Sequence, residues 1–189
     1  MDGHNVFIFG RPRKFKSYVV GRVVTQLQKA GKRVVVLCST TTALRAMCSE
    51  KTKSMLKHAV HSFFEMQTSE LPTCKIISRS IENPRVKTGS TGRRRVMWDE
   101  CSMSSRCMLE LVNAILHQLC ENEAPFGSNW VSNLFLWGSF FKLKPVPSSF
   151  DRVEFMFLSQ LWDTAVCHRF ELTKSDATKW RGNEVLGFD

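Results

Sequence analysis

Residues Gly10 to Ser17 read "GRPRKFKS", the frame of the phosphate-binding loop G-x-x-x-x-G-K-[ST]. In such a loop successive backbone N–H groups wrap phosphate oxygens, a lysine reaches the outer phosphates and a hydroxyl holds magnesium. Here those roles would fall to Lys16 and Ser17, with Gly10 opening the turn. Phe15 stands where the frame has glycine. The inward-turned backbone favours positive φ there, which costs a bulky residue about 1–2 kcal/mol. Arg11, Arg13 and Lys14 still favour an anion. The plain alternative is a basic strand-to-helix loop with no ligand.

A second candidate is "VMWDE", where Asp99 and Glu100 follow a short apolar run. Adjacent acids at a strand end can bind magnesium and orient an attacking water; a solvated turn is the simpler reading. A third is "LFLWGSFFKLKPVPSSF", Leu134 to Phe150, a strand running into glycine, two aromatics and a proline-rich turn. Phe140 and Phe141 suit either base stacking or core packing. The seven cysteines are odd in number and lack C-x-x-C spacing. His58 and His61 lack the further ligands that structural zinc needs. The sequence therefore argues against a disulfide scaffold and against a zinc knuckle, and suits a reducing, intracellular compartment.

These residues need a frame that brings them together, and the hydrophobic pattern supplies one. "NVFIFG" reads as a buried strand. In "SYVVGRVVTQLQKAGK", Val19, Val20, Val23, Val24 and Leu27 share a helical face, and Ala30–Gly31 form a stop. Arg33 to Cys38 is a second strand, which completes a β-α-β unit and implies a parallel sheet. Residues 65–95 are polar and punctuated by Pro72, Pro84, Gly89 and Gly92, an excursion holding one short helix. "VMW" is a third strand. "CMLELVNAILHQL" is an amphipathic helix with Met108, Leu111, Val112, Ile115 and Leu119 on one side. "VSNLFLWG" and "HRFEL" are the fourth and fifth strands. The expected fold class is α/β: a three-layer α/β/α sandwich around a mostly parallel sheet. One domain covers residues 1–174, with a divergent tail over 175–189. No apolar run approaches the ~18 residues that span a bilayer, and the first residues read neither as a secretory signal nor as a transit peptide. The net charge of +10 suits a polyanionic partner.

In order along the chain, "NVFIFG…KS", "KRVVVLCSTTTAL", "VHSFFEM", "ELPTCKIISRSIENPRV", "VMWDECSMSS", "LVNAI", "GSFFKLKPVPS" and "HRFELT" resemble the Pif (petite integration frequency) DNA helicase family. The resemblance covers residues 5–174. It implies the first RecA-like motor domain of a P-loop NTPase that uses ATP and Mg2+ to move 5′ to 3′ on single-stranded DNA, in DNA repair and recombination. Through it, Gly10, Lys16 and Ser17 match the nucleotide loop, with Ser17 and Asp99 on magnesium and Glu100 as catalytic base. Ser39, Thr40 and Thr41 match a motif on the DNA backbone, and His61 and Ser62 match a second one. Short hydroxyls suit phosphate contacts, although the same trio could cap a helix. A nuclear location is a further expectation from the family.

The departures carry as much weight. The family loop resembles G-P-A-G-T-G-K-S; Arg13 and Phe15 replace two of its glycines, and Pro12 lacks an N–H. In the family string G-D-F-F-Q-L-P-P, Ser139 replaces the acid, and Lys142 replaces the glutamine that senses the γ-phosphate. After "ELT" the family continues to a second motor domain, where this sequence reads "KSDATKWRGNEVLGFD". The reading is thus a 5′–3′ DNA helicase domain with impaired ATP turnover, not expected to unwind DNA by itself. A partner chain supplying the second domain is left open. The alternatives are a catalytically silent domain binding nucleic acid or protein, or a decaying mobile-element or duplicate gene product.

Overall fold

Alternate residues of the central strands face opposite ways, and each set is buried. In the computed structural model, which describes residues 5–10, 16–47, 56–66, 72–87, 94–127, 131–139, 145, 154–166 and 168–172, six strands form one sheet. They are β1 (Val6–Gly10), β2 (Val34–Cys38), β3 (Leu56–Ala59), β4 (Arg94–Asp99), β5 (Val131–Gly138) and β6 (His168–Leu172). The order is β3-β2-β4-β5-β1-β6, and every pairing is parallel. Parallel strands need crossovers that cover both faces.

One face is closed by α1 (Lys16–Lys29) and α2 (Thr41–Met47). Val19, Val20, Val23 and Val24 of α1 lie against Val6, Val34, Val36, Cys38, Met97, Phe135 and Trp137, with Leu27 partly buried beside them. Each valine so buried contributes at most about 1.5–3 kcal/mol. The helix stops where the sequence says it should. Lys32 N–H bonds the Leu27 carbonyl at 2.9 Å and Gly31 N–H the Gln28 carbonyl at 3.0 Å, with Gly31 at φ 68°. This is the Schellman pattern, and it uses glycine for its left-handed residue.

The other face is closed by α3 (Val60–Phe63), α4 (Thr73–Glu82), α5 (Pro84–Lys87), α6 (Arg106–Cys120) and α7 (Gln160–Ala165). Leu109, Val112, Ile115 and Leu116 of α6 meet Val35, Leu37, Val96, Trp98, Leu134 and Leu136 from the sheet. The three-layer sandwich expected from the sequence is therefore present, and two local expectations are corrected. The expected apolar side of α6 faces this core, with Val112 and Ile115 buried, Met108, Leu111 and Leu119 packed against them, and Leu109 and Leu116 adding to the buried set. The middle segment holds two helices, not one, and its prolines start them: Pro72 is the N-cap of α4 and Pro84 the first residue of α5, where a missing N–H goes unnoticed. Strand β3 was not expected at all. "LKHA" has no apolar run, and as an edge strand it tolerates the half-buried Lys57 and His58.

Candidate nucleotide and nucleic-acid site

Strand register gathers the candidate residues on one rim of the sheet. Cys38 at the end of β2 lies opposite both Ala59 and Asp99. Asp99 lies opposite Trp137, Gly138 opposite Phe9, and Gly10 opposite Leu172. The chain therefore leaves the sheet at the same edge with Ser39, Val60–His61, Glu100 and Ser139, and α1 begins there at Lys16. Ligands of open parallel sheets bind at this carboxyl edge. Residues 11–15, with Arg13 and Phe15, lie outside the described residues, as does Lys142; Lys16 and Ser17 are placed as the first turn of α1 by backbone only.

The acidic turn is held tightly. Glu100 takes the left-handed conformation, φ 50°, and its N–H donates to Asp99 Oδ1 at 2.8 Å. A 3-10 turn over Cys101–Met103 follows, with Met103 N–H on the Glu100 carbonyl at 2.9 Å. Gly138 touches this turn: a Cβ there would lie 3.0 Å from Ser102 N and 3.2 Å from Cys101 Sγ. A side chain at the glycine of "GSFF" would thus press on the acids' own turn beside it, which would have to give by a few tenths of an ångström. Gly10 is constrained in the same way, since a Cβ would meet the Leu172 carbonyl oxygen at 2.8 Å. Burial pushes the Cys101 thiol pKa well up, and Asp99 and Glu100 add to the rise, so this cysteine stays a neutral packing residue. Ser102 and Ser139 are fully buried, and their hydroxyls have no hydrogen-bond partner among the described residues.

The three hydroxyls after β2 have three different surroundings. Ser39 is 9% exposed. Its Oγ donates to the Asp99 carbonyl at 3.1 Å, accepts from Trp98 Nε1 at 3.1 Å and meets Ser104 Oγ at 2.7 Å. With its N–H also on the Asp99 carbonyl, Ser39 fastens the end of β2 to the end of β4. Thr40 caps α2, its Oγ1 accepting from Ala43 N–H at 3.1 Å. Thr41 is exposed. His61 and Ser62 are exposed on α3, which Val60 and Phe63 anchor in the core. Desolvation lowers the pKa of His61, and desolvation followed by the charge of Arg85 lowers that of His58.

The sequence reading missed Trp98 and Ser104 as partners of Ser39. The signal was faint: the serine run in "VMWDECSMSS" contributed to the family resemblance without a partner being read for any of its serines. It also missed Asn5, whose side chain accepts from Leu134 N–H at 2.8 Å and donates to the Ala165 carbonyl at 2.7 Å, tying the opening of β1 to β5 and to α7.

A six-stranded parallel sheet covered on both faces, with a phosphate-loop frame after β1 and an acidic pair after β4, has the RecA-like fold of P-loop motor domains. Within that class the chain belongs to the PIF1-like helicase family, whose model matches residues 1–183. It is 24% identical over 174 residues to the ATP-dependent DNA helicase PIF1 of Homo sapiens, covering 92% of this chain and 25% of that protein. It is 27% identical over 166 residues to the ATP-dependent DNA helicase Pif1 of a Psychrobacter species, covering 85% and 23%. The chain thus spans about a quarter of the length of these relatives. Its structure resembles the Pif1 helicase of Candida albicans, with TM-score 0.72 and 25% identity over 90% of this chain and 36% of that one. It also resembles a Bacteroides Pif1 in complex with ADP-AlF3 and single-stranded DNA, with TM-score 0.63 and 20% identity over 90% and 38%.

Proposed function

We propose that this chain is the nucleotide- and DNA-contacting motor domain of an ATP-dependent 5′–3′ DNA helicase, over residues 1–174, whose turnover is weakened by its own phosphate loop. The observation that carries the reading is the common rim: Asp99 and Glu100, the first turn of α1, Thr41 and His61 all leave one edge of the sheet. The family, and relatives named as ATP-dependent DNA helicases, support it.

The donors present fit a nucleotide with magnesium. Among the described residues no cluster of three or more His, Cys, Asp or Glu forms a protein-only metal site. Asp99 and Ser17 are both oxygen donors, as magnesium prefers when phosphates and water complete its shell. In this reading Gly10 and Lys16 receive the phosphates, Lys16 offsetting charge on the outer ones, while Ser17 and Asp99 hold Mg2+. Glu100 would orient and deprotonate the attacking water, and Lys142 would take the place of the glutamine that senses the γ-phosphate in the family string. Bound ATP supplies the phosphoanhydride whose hydrolysis drives movement. Single-stranded DNA meets Thr41, His61 and Ser62 directly, and Ser39 and Thr40 position that edge beneath it. A nuclear site of action accords with this role; no helix among the described residues is long and apolar enough to cross a membrane.

A silent, binding-only domain is the second reading, favoured by Ser139, whose buried neutral hydroxyl stands where the family string has an acid. Calorimetric titration with magnesium and a non-hydrolysable ATP analogue decides between them. Saturable binding abolished by Lys16→Ala supports the motor reading; no binding by the original chain leaves the silent one.

A further inference from the structure

Among the described residues, two neighbouring apolar side chains stand out in water: Phe157 is 37% exposed and Leu158 53%. They belong to a 3-10 turn over Met156–Leu158. Met156 is buried in the core beside α6 and anchors the turn. The half-buried Phe155 stacks on Phe157, with ring centroids 5.1 Å apart and planes inclined by 13°. Bonds to α6 fix the turn at both ends. Ser105 and Phe155 form an antiparallel bridge, and Arg106 N–H donates to the Glu154 carbonyl at 2.9 Å. The Arg106 guanidinium reaches Glu110 at 2.8 Å and Glu154 at 3.0 Å, and Ser159 Oγ donates to Glu110 at 2.8 Å. An aromatic pair held this way loses little freedom when a ligand arrives.

The turn lies at the carboxyl rim of the sheet. Ser105 is the N-cap of α6, and Ser104 before it meets Ser39 Oγ at 2.7 Å. Ser39 in turn stands two residues before Thr41. The aromatic pair thus borders the edge that carries Thr41. Charge decides which part of a nucleic acid suits the turn. Glu110 and Glu154 flank it, their side chains 43% and 49% exposed, and Arg106 offsets only one of the two charges. The remaining negative charge repels phosphates and anionic lipid headgroups. It does not repel a neutral base.

We propose that Phe157, backed by Phe155, is a base-stacking platform for single-stranded nucleic acid, with Leu158 as its apolar margin. The inference rests on the strand lying along this rim, as in the function proposed above: phosphates pass Thr41 and His61, and bases turn towards Phe157. Every base has a π-face, so such a platform is tolerant of sequence. It selects single strands, because the bases of a duplex are already stacked on one another.

The test is fluorescence anisotropy across a salt series with a labelled oligothymidine and with an abasic strand of the same length. Phe157→Ala should weaken oligothymidine binding roughly tenfold and leave the abasic strand unaffected. The slope of log K against log salt should stay the same, because no phosphate contact is lost. Phe157→Trp should bind oligothymidine at least as tightly as the original chain. Thermal melting shows whether each variant is folded. If Phe157→Ala is not, Phe157→Leu keeps apolar bulk without an aromatic face and should show a smaller loss confined to oligothymidine. An equal loss on the abasic strand would overturn the proposal. So would an unchanged oligothymidine affinity, which would leave the rim as a DNA site and assign the turn to a protein partner. Failure of the original chain to bind either strand at low salt would overturn both this inference and the DNA-contacting reading. The nucleotide titration with Lys16→Ala is independent of all these outcomes.

Discussion

Asp99 keeps one carboxylate oxygen on the Glu100 N–H, and Glu100 accepts a left-handed backbone to continue the turn. A methyl group at Gly138 would crowd that turn, lying 3.0 Å from Ser102 N and 3.1 Å from its Oγ. Gly138→Ala should therefore destabilise the chain by about 1–3 kcal/mol, as overpacking does, and displace the acidic turn. Urea denaturation checks the first effect, and nucleotide titration the second; a neutral substitution would mean that the turn yields easily. Phe15 poses the converse problem. Arg13→Gly combined with Phe15→Gly should tighten magnesium–nucleotide binding even though it removes a cation. An exposed charge pair is worth only ~0–1 kcal/mol, whereas each N–H donated to a charged oxygen contributes roughly 1.5–3 kcal/mol. Tighter binding by the original chain in calorimetry would show that Phe15 is no obstacle. The sequence made Phe15 visible because a fixed frame asked for glycine there. It could not show what Gly138 touches, because that neighbour comes from another strand.

At the scale of elements, β2 and β4 are joined at their carboxyl ends by Ser39, and the joint separates structure from binding. Ser39→Ala leaves the Trp98 indole N–H and the Ser104 hydroxyl short of a buried partner, which should cost about 1–3 kcal/mol. Thr41→Ala, two residues on at the exposed start of α2, should leave stability within about 0.5 kcal/mol and weaken single-stranded DNA binding. Thermal melts and anisotropy on the two variants provide the comparison; the reverse pattern would exchange their roles. The same contrast explains how much of the fold was legible. Strands β1, β2, β4 and β5 announce themselves because burial on both faces demands continuous apolar runs, and "VFIFG" and "VVVLC" supply them. β3 did not, because an edge strand with Lys57 and His58 meets no such demand. Helices α4 and α5 were obscured by prolines that begin helices as readily as they end them. The roles of "STTT" were undecidable locally: whether a serine faces DNA or a tryptophan depends on which strand lies beside it.

For the whole molecule, an excess of ten positive charges accompanies two partly desolvated histidines, His58 and His61, at one edge of the sheet. His58 on β3 and His61 on α3 both have pKa values lowered from about 6.5. A lowered folded pKa means that the unfolded chain binds protons more readily, so stability rises with pH across the interval between the two values. The contribution is fully present above about 6.5 and is lost as pH falls through the folded pKa. Added positive charge on an already basic chain acts in the same direction. Thermal stability should therefore fall on acidification from pH 7 to pH 5, and His58→Gln with His61→Gln should flatten that part of the profile without altering stability much at pH 8. DNA binding should move the opposite way, since protonated His61, on the exposed side of α3, adds a cation to the rim proposed to hold the strand. Melting curves and anisotropy between pH 5 and pH 8 test the pair of trends on one sample. If the double variant keeps the original pH slope of stability, other groups govern the acid response. If only the affinity trend disappears, His61 meets the strand while the fold's sensitivity lies elsewhere.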